Sequence, residues 1–333
     1  MSSHKVTIID VAKEAGVSIA SVSRFLHNPL SLKRNNREKI SQAIKKLNYE
    51  PQVYAQRLAG GKLNTVGLVI PGYEGIFYSF YALEIIRNVG IALEKIGYDL
   101  HLNIYRGKDN LRTSLVDGVI FADIINNEKQ LLRLLKEGIP TVVINKRLEE
   151  KKVSFVAIDN FKGAVEATEF LISHGHKVIA HIGGDLKVQC AYERLSGYKF
   201  ALEKNGLPID EKVIKLANFS PLEARKCLEE LLALSQRPTA IFCASDEMAQ
   251  EVLHSVREKG IDVPRNLSII GFDDNPRCIY DSFGLTTVRQ PLDRMAQLGV
   301  DILMDIVEKK DTTIKKIIFE PELVIRDSVS YIS

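Results

Sequence analysis

The chain has 333 residues, of which 45% are hydrophobic and 26% charged, and its net charge is +3. That length allows two or three domains with a large core, and the composition is that of an ordinary soluble protein. No apolar run approaches the roughly 20 residues that cross a bilayer, and the opening MSSHKVTIID lacks the apolar segment of a signal peptide. We therefore expect a cytoplasmic protein with no membrane partner.

The charge is unevenly distributed along the chain. Residues 1–62 contain 11 Lys or Arg and 4 Asp or Glu, a net charge of +7, whereas the rest carries −4. A small basic head (residues 1–62) on a mildly acidic body (residues 63–333) is typical of a phosphate-binding module attached to a second function.

Two short amphipathic helices are predicted in residues 6–27, VTIIDVAKEAGVSIASVSRFLH. Their apolar residues recur at helical spacing on either side of Gly16, which tolerates the positive φ of a tight turn. Thr7, with Asp10 three positions on, can cap the first helix, and Ser18 can cap the second. The pattern is helix, tight turn, helix.

The second of these helices carries small side chains and one arginine on the faces that do not pack: Ile19, Ala20, Ser21, Ser23 and Arg24. Small residues allow close approach to base edges in the major groove, and an arginine can reach guanine O6 and N7. This pattern favours DNA recognition, although a helical pair of this size is also a common packing unit.

A third helix and a short linker complete the head. Asn36 can cap a helix from Arg37 to Leu47, and Pro51 breaks the chain after it. The following stretch, QVYAQRLAGG, has too few apolar residues to be a stable helix by itself. It needs a partner, which is a second copy of itself, DNA, or both.

Four motifs together resemble the LacI/GalR family of transcriptional regulators over essentially the whole chain: TIIDVAKEAGVSIASVSRFL, REKI with LNYEPQVYAQRLA, IIGFDD and LTTVRQP. The resemblance implies that the second helix enters the major groove. It also implies that residues 51–60 form a hinge helix that pairs across a dimer, with Leu58 wedged into the minor groove. His27 departs from the pattern, since many members have Asn there, and so does the loop KRNN at 33–36.

The resemblance gives individual roles to residues of the head. Ile19 and Ala20 would set specificity, Arg24 would contact a base, and Ser21 and Ser23 would lie near phosphates. The predicted DNA-binding residues are Thr7, Ser18, Ile19, Ala20, Ser21, Ser23, Arg24, His27, Tyr49 and Leu58.

From Asn64 onward, apolar runs alternate with helical segments, which predicts parallel sheets with helices on both faces. About 270 residues of this pattern make two α/β lobes, as in a periplasmic-binding-protein-like body. We place the N-terminal lobe at about 63–160 plus 288–320 and the C-terminal lobe at about 161–287 plus 321–333. The resemblance implies that this body binds an effector and dimerises.

Ligands of open α/β sheets bind outside the carboxyl ends of the strands. The residues that follow the apolar runs are Pro71 to Tyr73, Asp123, Asn145, Asp159 and Asn160, Gly183 to Asp185, Ser245 and Asp246, and Asp273 and Asp274. This set is rich in carboxylates and amides and poor in lysine. It suits a neutral polyhydroxylated ligand better than a phosphate.

The resemblance points to the same region and adds aromatic and basic residues. The predicted effector-binding residues are Tyr73, Phe77, Asn145, Asp159, Arg194, Phe219, Ser245, Asp273 and Gln290. Two alternatives stay open: Arg194 could be a structural ion pair with Asp159 or Asp273, and Phe219 could be plain core. A sugar is the predicted effector, with a nucleobase or nucleoside as the alternative.

Two features concern assembly. The family has a full helix between the first lobe's second and third strands, but here only about a dozen residues, around Gly107, connect them, so we expect that helix to be shortened or absent. The carboxyl terminus shows no apolar heptads, which favours a homodimer over a coiled-coil tetramer.

Enzyme and metal chemistry find little support, so we expect no catalytic residues, no metal and no cofactor. Adjacent acids such as Asp273 and Asp274 point to different sides of a strand end and cannot flank one glycosidic bond. The three histidines His174, His176 and His181 should diverge, and the four cysteines form no CxxC pair. A sugar-binding protein without a DNA role is the other alternative, and the basic head argues against it.

Overall fold

A computed structural model describes residues 6–27, 29–49, 62–72, 76, 79–279 and 283–332, with only the backbone at positions 27 and 30. The chain divides into two compact units, Met1–Asn64 and Thr65–Ser333. The predicted hinge helix at 51–60 lies outside the described residues.

The described part of the first unit contains three α-helices: α1 (Ile8–Ala15), α2 (Ile19–His27) and α3 (Arg34–Leu47). Asp10 Oδ2 accepts hydrogen bonds from the Thr7 backbone N–H at 2.8 Å and from the Thr7 hydroxyl at 2.7 Å. Gly16 ends α1 with a φ of 63°. The described core of this unit consists of Val11, Ala12, Ala15, Val22, Ile40, Ala43 and Tyr49.

The third helix begins three residues earlier than predicted. Lys33, not Asn36, is its N-cap, and Arg34 is its first residue. The Arg34 guanidinium pairs with Glu38 one turn later at 2.9 Å, which adds support to the extra turn. The sequence favoured Asn36 because of its capping side chain, but Lys33 adopts the extended backbone that starts the helix.

The second unit contains seven described helices and twelve strands. The helices are α4 (Phe80–Glu94), α5 (Glu128–Lys136), α6 (Asn160–Ser173), α7 (Gln189–Lys204), α8 (Pro221–Leu232), α9 (Asp246–Glu258) and α10 (Leu292–Val307). The strands are β1 (Thr65–Pro71), β2 (Asp99–Tyr105), β3 (Gly118–Ala122), β4 (Thr141–Ile144), β5 (Ser154–Ile158), β6 (Ile179–Gly183), β7 (Ile214–Leu216), β8 (Ala240–Cys243), β9 (Ser268–Asp273), β10 (Thr286–Arg289), β11 (Lys316–Phe319) and β12 (Glu322–Val324).

The strands form two six-stranded sheets, one in each lobe. The first has the order β11-β5-β4-β3-β1-β2 and is parallel throughout. The second has the order β12-β10-β9-β8-β6-β7, in which only the β10–β12 pair is antiparallel. Buried aliphatic clusters cover both faces of each sheet, as expected for continuous apolar strands between helices.

The chain crosses between the lobes three times: after β5, after β10 and after β11. The predicted crossing at 288 falls inside β10, whose residues up to Arg289 pair with β9 of the second sheet. The pairing therefore extends the second lobe to 289, and the first lobe resumes with α10, which packs on α4 and on β3, β4 and β5.

The connection between β2 and β3 has no α-helix. Only a short 3-10 turn, Thr113–Leu115, lies between these strands. Leu111 and Val116 are buried there in the cluster on one face of the first sheet. Asp109 ties the segment to α5 through Arg133 Nε at 2.6 Å and Gln130 Nε2 at 2.8 Å. Two apolar residues and one ion pair thus cover the place of the family's helix, which is absent here, in line with the expectation that it would be shortened or absent.

The described residues include no helix long and apolar enough to span a membrane. In the same residues no cluster of three or more His, Cys, Asp or Glu could hold a metal ion. His176 and His181 are both buried and have separate hydrogen-bond partners. His176 Nδ1 lies 2.9 Å from Thr239 Oγ1, and His181 Nδ1 lies 3.0 Å from the Phe242 carbonyl oxygen. Burial lowers the pKa of His181 to about 3. Both histidines therefore have packing partners of their own.

Candidate functional site

The outer face of α2 is a surface of small and exposed side chains. Ile19, Ala20 and Arg24 are exposed, and Ser21 and Ser23 are partly so, because Val22 points into the core of the unit. The Arg24 Nε donates to the carbonyl of Ala20 at 3.4 Å, a long bond that a better acceptor can replace. The helix presents one cation among groups small enough for close approach to a duplex.

The other predicted DNA-binding residues lie in different environments. Ser18 is exposed, and its hydroxyl accepts from the Ser21 backbone N–H at 3.2 Å, while Thr7 is half-buried in its capping box. Tyr49 is only 5% exposed, and its ring packs in the core, which does not support the predicted DNA contact at that residue. The side chain of His27 and all of Leu58 lie outside the described residues.

In the second unit, Arg194 of α7, Asp273 at the end of β9 and Gln290 after β10 converge at one edge of the second sheet. The Gln290 Nε2 donates to Asp273 Oδ1 at 2.5 Å, and Arg194 Nη1 lies 3.6 Å from the same oxygen. All three side chains are buried. The structure therefore brings together three of the predicted effector-binding residues.

Arg194 is held in place from several sides. Its Nε donates to Asn160 Oδ1 at 2.9 Å, its Nη1 donates to the Ala244 carbonyl at 2.6 Å, and its guanidinium carbon lies 3.6 Å from the centre of the Phe272 ring. The alternative of a structural ion pair is thus present with Asp273. Asp159 is occupied elsewhere: it accepts from the Lys162 N–H at 2.9 Å as the cap of α6 and pairs with Arg147 at 3.1 Å.

Several buried carboxyl groups in this region resist ionisation, among them Asp273 and Asp123. Burial raises the pKa of Asp273 to about 8, although Arg194 opposes the shift. Burial likewise raises the pKa of Asp123, at the end of β3 in the first lobe, to about 6, with Lys146 as the main opposing charge. A buried carboxylic acid that keeps its proton can donate a hydrogen bond as well as accept one.

Buried acceptors without a partner also occur at these strand ends. Asn145 Oδ1, after β4, and Gln290 Oε1 are buried and make no hydrogen bond with the described residues. A buried polar atom left unpaired costs free energy, so both oxygens are suited to receive a donor from a bound molecule.

Several residues at these strand ends, among them Asp123, Asn145, Phe219 and Asp273, have left-handed backbone conformations that residues other than glycine rarely adopt. The φ angles are 74° for Asp123, 66° for Asn145, 60° for Phe219 and 130° for Asp273. A bulky aromatic residue at positive φ is unusual, and such strain clusters at functional sites. The strain supports a binding role for this region, because folding alone would favour relaxed turns.

Phe219 lies next to the carboxyl end of β6. Its half-buried ring contacts a small apolar cluster, Val188, Cys190 and Ala191, on which Ile125 of the first lobe also packs. A Cβ at Gly184 would lie 2.2 Å from the Phe219 ring, so the ring needs glycine at the end of β6. Phe219 is therefore both a packing residue and a partly accessible aromatic face.

Ser245 has a local role. Its hydroxyl is the N-cap of α9, where it accepts from the Met248 N–H at 3.4 Å. Asp246 next to it is fully buried and accepts from the Asn275 N–H at 2.7 Å and the Thr287 hydroxyl at 2.6 Å. Tyr73 and Phe77 lie outside the described residues.

The sequence did not single out Gln189, Cys190 or Glu193, which share α7 with Arg194. Burial raises the pKa of the Cys190 thiol to about 12. The charge of Arg194 opposes this shift, and the charges of Asp123 and Asp273 add to it. The spacing of four residues between Cys190 and Arg194 places both on one helix face. That helical spacing could have indicated Cys190 from the sequence. A prediction made from the ends of strands does not include residues of a helix that packs beside them.

Comparisons with known proteins show similarity along nearly the whole chain. Residues 7–52 match the family model "Bacterial regulatory proteins, lacI family", and residues 168–329 match "Periplasmic binding protein-like domain". A relative from Bacillus subtilis (strain 168), named "Probable HTH-type transcriptional repressor ExuR", is 32% identical over 97% of this chain and 98% of its own length. The chain belongs to the LacI family. It is accordingly a DNA-binding transcriptional repressor, and its relatives are regulators rather than enzymes.

Solved structures of LacI-family proteins agree with this assignment. The regulator CelR in complex with cellobiose is 29% identical, covers 97% of this chain and 99% of its own, and superimposes with a TM-score of 0.73. The lac repressor dimer bound to operator and the anti-inducer ONPF is 22% identical, covers 98% of this chain and 100% of its own, and has a TM-score of 0.85, which shows the shared fold. The predicted head and two-lobed body are therefore confirmed.

Proposed function

We propose that this LacI-family repressor binds a palindromic operator as a homodimer and is controlled by a sugar that binds between its two lobes. The observation that carries the effector proposal is the convergence of Arg194, Asp273 and Gln290 at the edge of the second sheet, with Asn145 on the first. The predicted domain limits, with the lobe boundary moved to 289, and the predicted site residues other than Tyr49 remain part of this proposal.

The chemistry of the cleft supports a hydroxyl-rich ligand. Asn145 Oδ1 and Gln290 Oε1 are acceptors without a partner, and Asp123 and Asp273 can hold or share a proton. Arg194 already donates hydrogen bonds to Asn160 and Ala244 and lies 3.6 Å from Asp273, so little of its charge is available to a phosphate. The half-buried ring of Phe219 offers a face for an apolar side of a sugar ring or for a base. The cellobiose complex of CelR is consistent with the sugar.

The face of α2 supports the operator proposal. Ile19 and Ala20 are exposed beside Arg24 on the second helix of a helix-turn-helix, the geometry that places such residues against base edges. Pairing of two heads on a palindrome is what a C2 dimer requires. The hinge at 51–60 would supply the contact between them.

A thermal-shift screen tests the effector class. Purified protein is melted with monosaccharides, disaccharides, nucleobases and nucleosides in turn. A ligand at 100 times its Kd stabilises the fold by about 2.7 kcal/mol. We expect sugars to raise the melting temperature, and the variant Asp273→Ala to lose that response while still folding. If only nucleobases or nucleosides raise it, the sugar assignment is wrong.

Selection of DNA from a random pool tests the operator. We expect enrichment of one palindrome, bound by two chains per duplex in analytical ultracentrifugation. One chain per duplex, or no preference over scrambled DNA with and without the sugars that stabilise the protein, would contradict the dimeric operator model.

A further inference from the structure

Contacts besides the chain crossings join the two lobes. One comes from Glu247, the second residue of α9 in the second lobe, whose Oε1 accepts a hydrogen bond from the backbone N–H of Phe80 at 2.9 Å. Phe80 is the first residue of α4 in the first lobe. A carboxylate of one lobe therefore lies at the amino-terminal turn of a helix in the other.

The amino-terminal turn of α4 takes caps from both lobes. Ser79 of its own lobe accepts from the Ala82 N–H at 3.5 Å, a long bond, while Glu247 takes the N–H of Phe80. The first N–H groups of a helix have no partner within it, and a negative charge there is favoured by the helix dipole. Glu247 is half-buried, and burial raises its pKa while the bond from Phe80 opposes that shift.

A second bridge between the lobes lies on a different helix. Gln189, the first residue of α7, accepts from the Arg147 backbone N–H at 2.9 Å and donates to the Arg147 carbonyl at 3.5 Å. Ile125 of the first lobe also packs on Val188, Cys190 and Ala191 of the second. These contacts come from three separate segments of the first lobe, so one rotation of the lobes apart would break all of them.

We propose that Glu247 is a latch, a positioning residue that fastens the second lobe to the first turn of α4 and so sets the fraction of molecules with a closed cleft. Of the side chains in these bridges, it alone brings a charge to a helix terminus. An effector that binds the closed form has an apparent affinity scaled by that fraction. Only this regulatory consequence rests on the proposed function, because the latch itself requires neither DNA nor effector.

Hydrogen exchange resolved to single amides of the full-length protein tests the latch. In Glu247→Ala we expect exchange to accelerate by about tenfold or more at Phe80, the bonded amide, and also at Arg147, which has no contact with Glu247. Glu247→Gln keeps an acceptor oxygen and should accelerate both amides less. The matched control is Glu223→Ala, in the corresponding turn of α8, where the carboxylate pairs with Lys226 of its own helix at 2.8 Å. It should leave both rates unchanged.

Acceleration at Phe80 alone would make Glu247 a local helix cap and overturn the latch, as would no change at either amide. Should Glu247→Ala fail to fold, Gln189→Ala tests the coupling from the opposite bridge: faster exchange at Phe80 supports the latch and an unchanged rate overturns it. Operator binding is measured on the same variants. A latch that fails while operator binding persists leaves the proposed function intact.

Discussion

Single residues show where the second unit departs from relaxed packing. Asp123 is buried with a φ of 74°, and its carboxylate accepts the N–H of the next residue, Ile124, at 2.5 Å. Across from it, Asp273 shares one oxygen between Gln290 and Arg194. Burying an acid lowers the free energy of unfolding, so selection for stability alone would favour other residues at these positions. The two acids are therefore consistent with a site that receives a polar ligand.

Asp123 makes one distinct contribution to the pH dependence of stability. Its pKa rises from 3.8 in the unfolded chain to about 6 in the fold, so the folded state binds this proton more tightly. The stabilisation from this proton is complete below about pH 4, declines as pH rises to about 6 and is absent above it. The change amounts to roughly 3 kcal/mol.

Asp123→Asn removes this dependence. The free energy of unfolding of the variant minus that of the wild type should rise by roughly 3 kcal/mol from pH 4 to pH 7. Urea unfolding at each pH measures this difference. Asp99→Asn, at an exposed position of β2, is the control and should show no such trend. A difference that is the same at every pH would contradict the assignment.

Arg24 has a residue-scale prediction of its own. Arg24→Ala should cost about 1 to 3 kcal/mol of operator binding and relax the preference at one base pair, because a bidentate contact to guanine would be lost. Fluorescence anisotropy on the operator and on its single-base variants measures both effects. Arg34→Ala, which removes an exposed arginine paired with Glu38, is the control. A loss for Arg24→Ala that is equal on every duplex would restrict Arg24 to phosphate contact.

At the scale of elements, glycine allows α6 and α7 to approach closely. A Cβ at Gly197 of α7 would lie 2.3 Å from the Phe161 carbonyl oxygen and 2.9 Å from the Ala164 Cβ. A backbone carbonyl in a helix cannot move aside without disturbing that helix. Gly90 of α4 is different, since a Cβ there would meet only Leu100, at 3.9 Å.

The same substitution should therefore have opposite effects in the two lobes. Gly197→Ala should destabilise the fold by about 1 to 3 kcal/mol through overpacking. Gly90→Ala should stabilise it by up to about 1 kcal/mol, because alanine favours the helix. Urea unfolding of both variants measures the difference. Equal effects of either sign would show that the approach of α6 and α7 does not depend on Gly197.

At the scale of the whole molecule, control of DNA binding requires the head and the body to be connected by a segment that responds to both. The proposed hinge at 51–60 is short, and isolated helices of fewer than about 12 residues are marginal in water. Its folding would therefore depend on a second copy and on the operator, which makes it the natural point of control.

Leu58→Ala tests that dependence. If Leu58 wedges into the minor groove of a kinked operator, the variant should lose operator affinity much more than affinity for random DNA. Filter binding at one fixed salt concentration compares the two, because non-specific binding varies strongly with salt. Val53→Ala, in the same segment, is the control for a general loss of helix. Equal losses on operator and random DNA would refute the wedge.

The sequence alone was sufficient for the architecture. The spacing around Gly16 and the capping residues predicted the helix-turn-helix, and apolar runs that alternate with helices predicted the two parallel sheets, because these are local patterns. The absence of a helix between β2 and β3 was also predictable, since a dozen residues around Gly107 leave no room for one. The position of Asn145 and Asp273 directly after or at the end of strands predicted them as binding residues, because parallel strands bring their carboxyl ends to one edge of the sheet.

Tertiary structure alone decided what those residues contact. That Tyr49 packs in the core, that Asp159 pairs with Arg147, and that Glu247 bonds to Phe80 across the lobes depend on neighbours in other elements. The pKa of Asp123 and the strain at Phe219 likewise arise from burial and from neighbours on other strands. Periodicity reports which face of an element is buried, but the partner on that face is set only when the lobes come together.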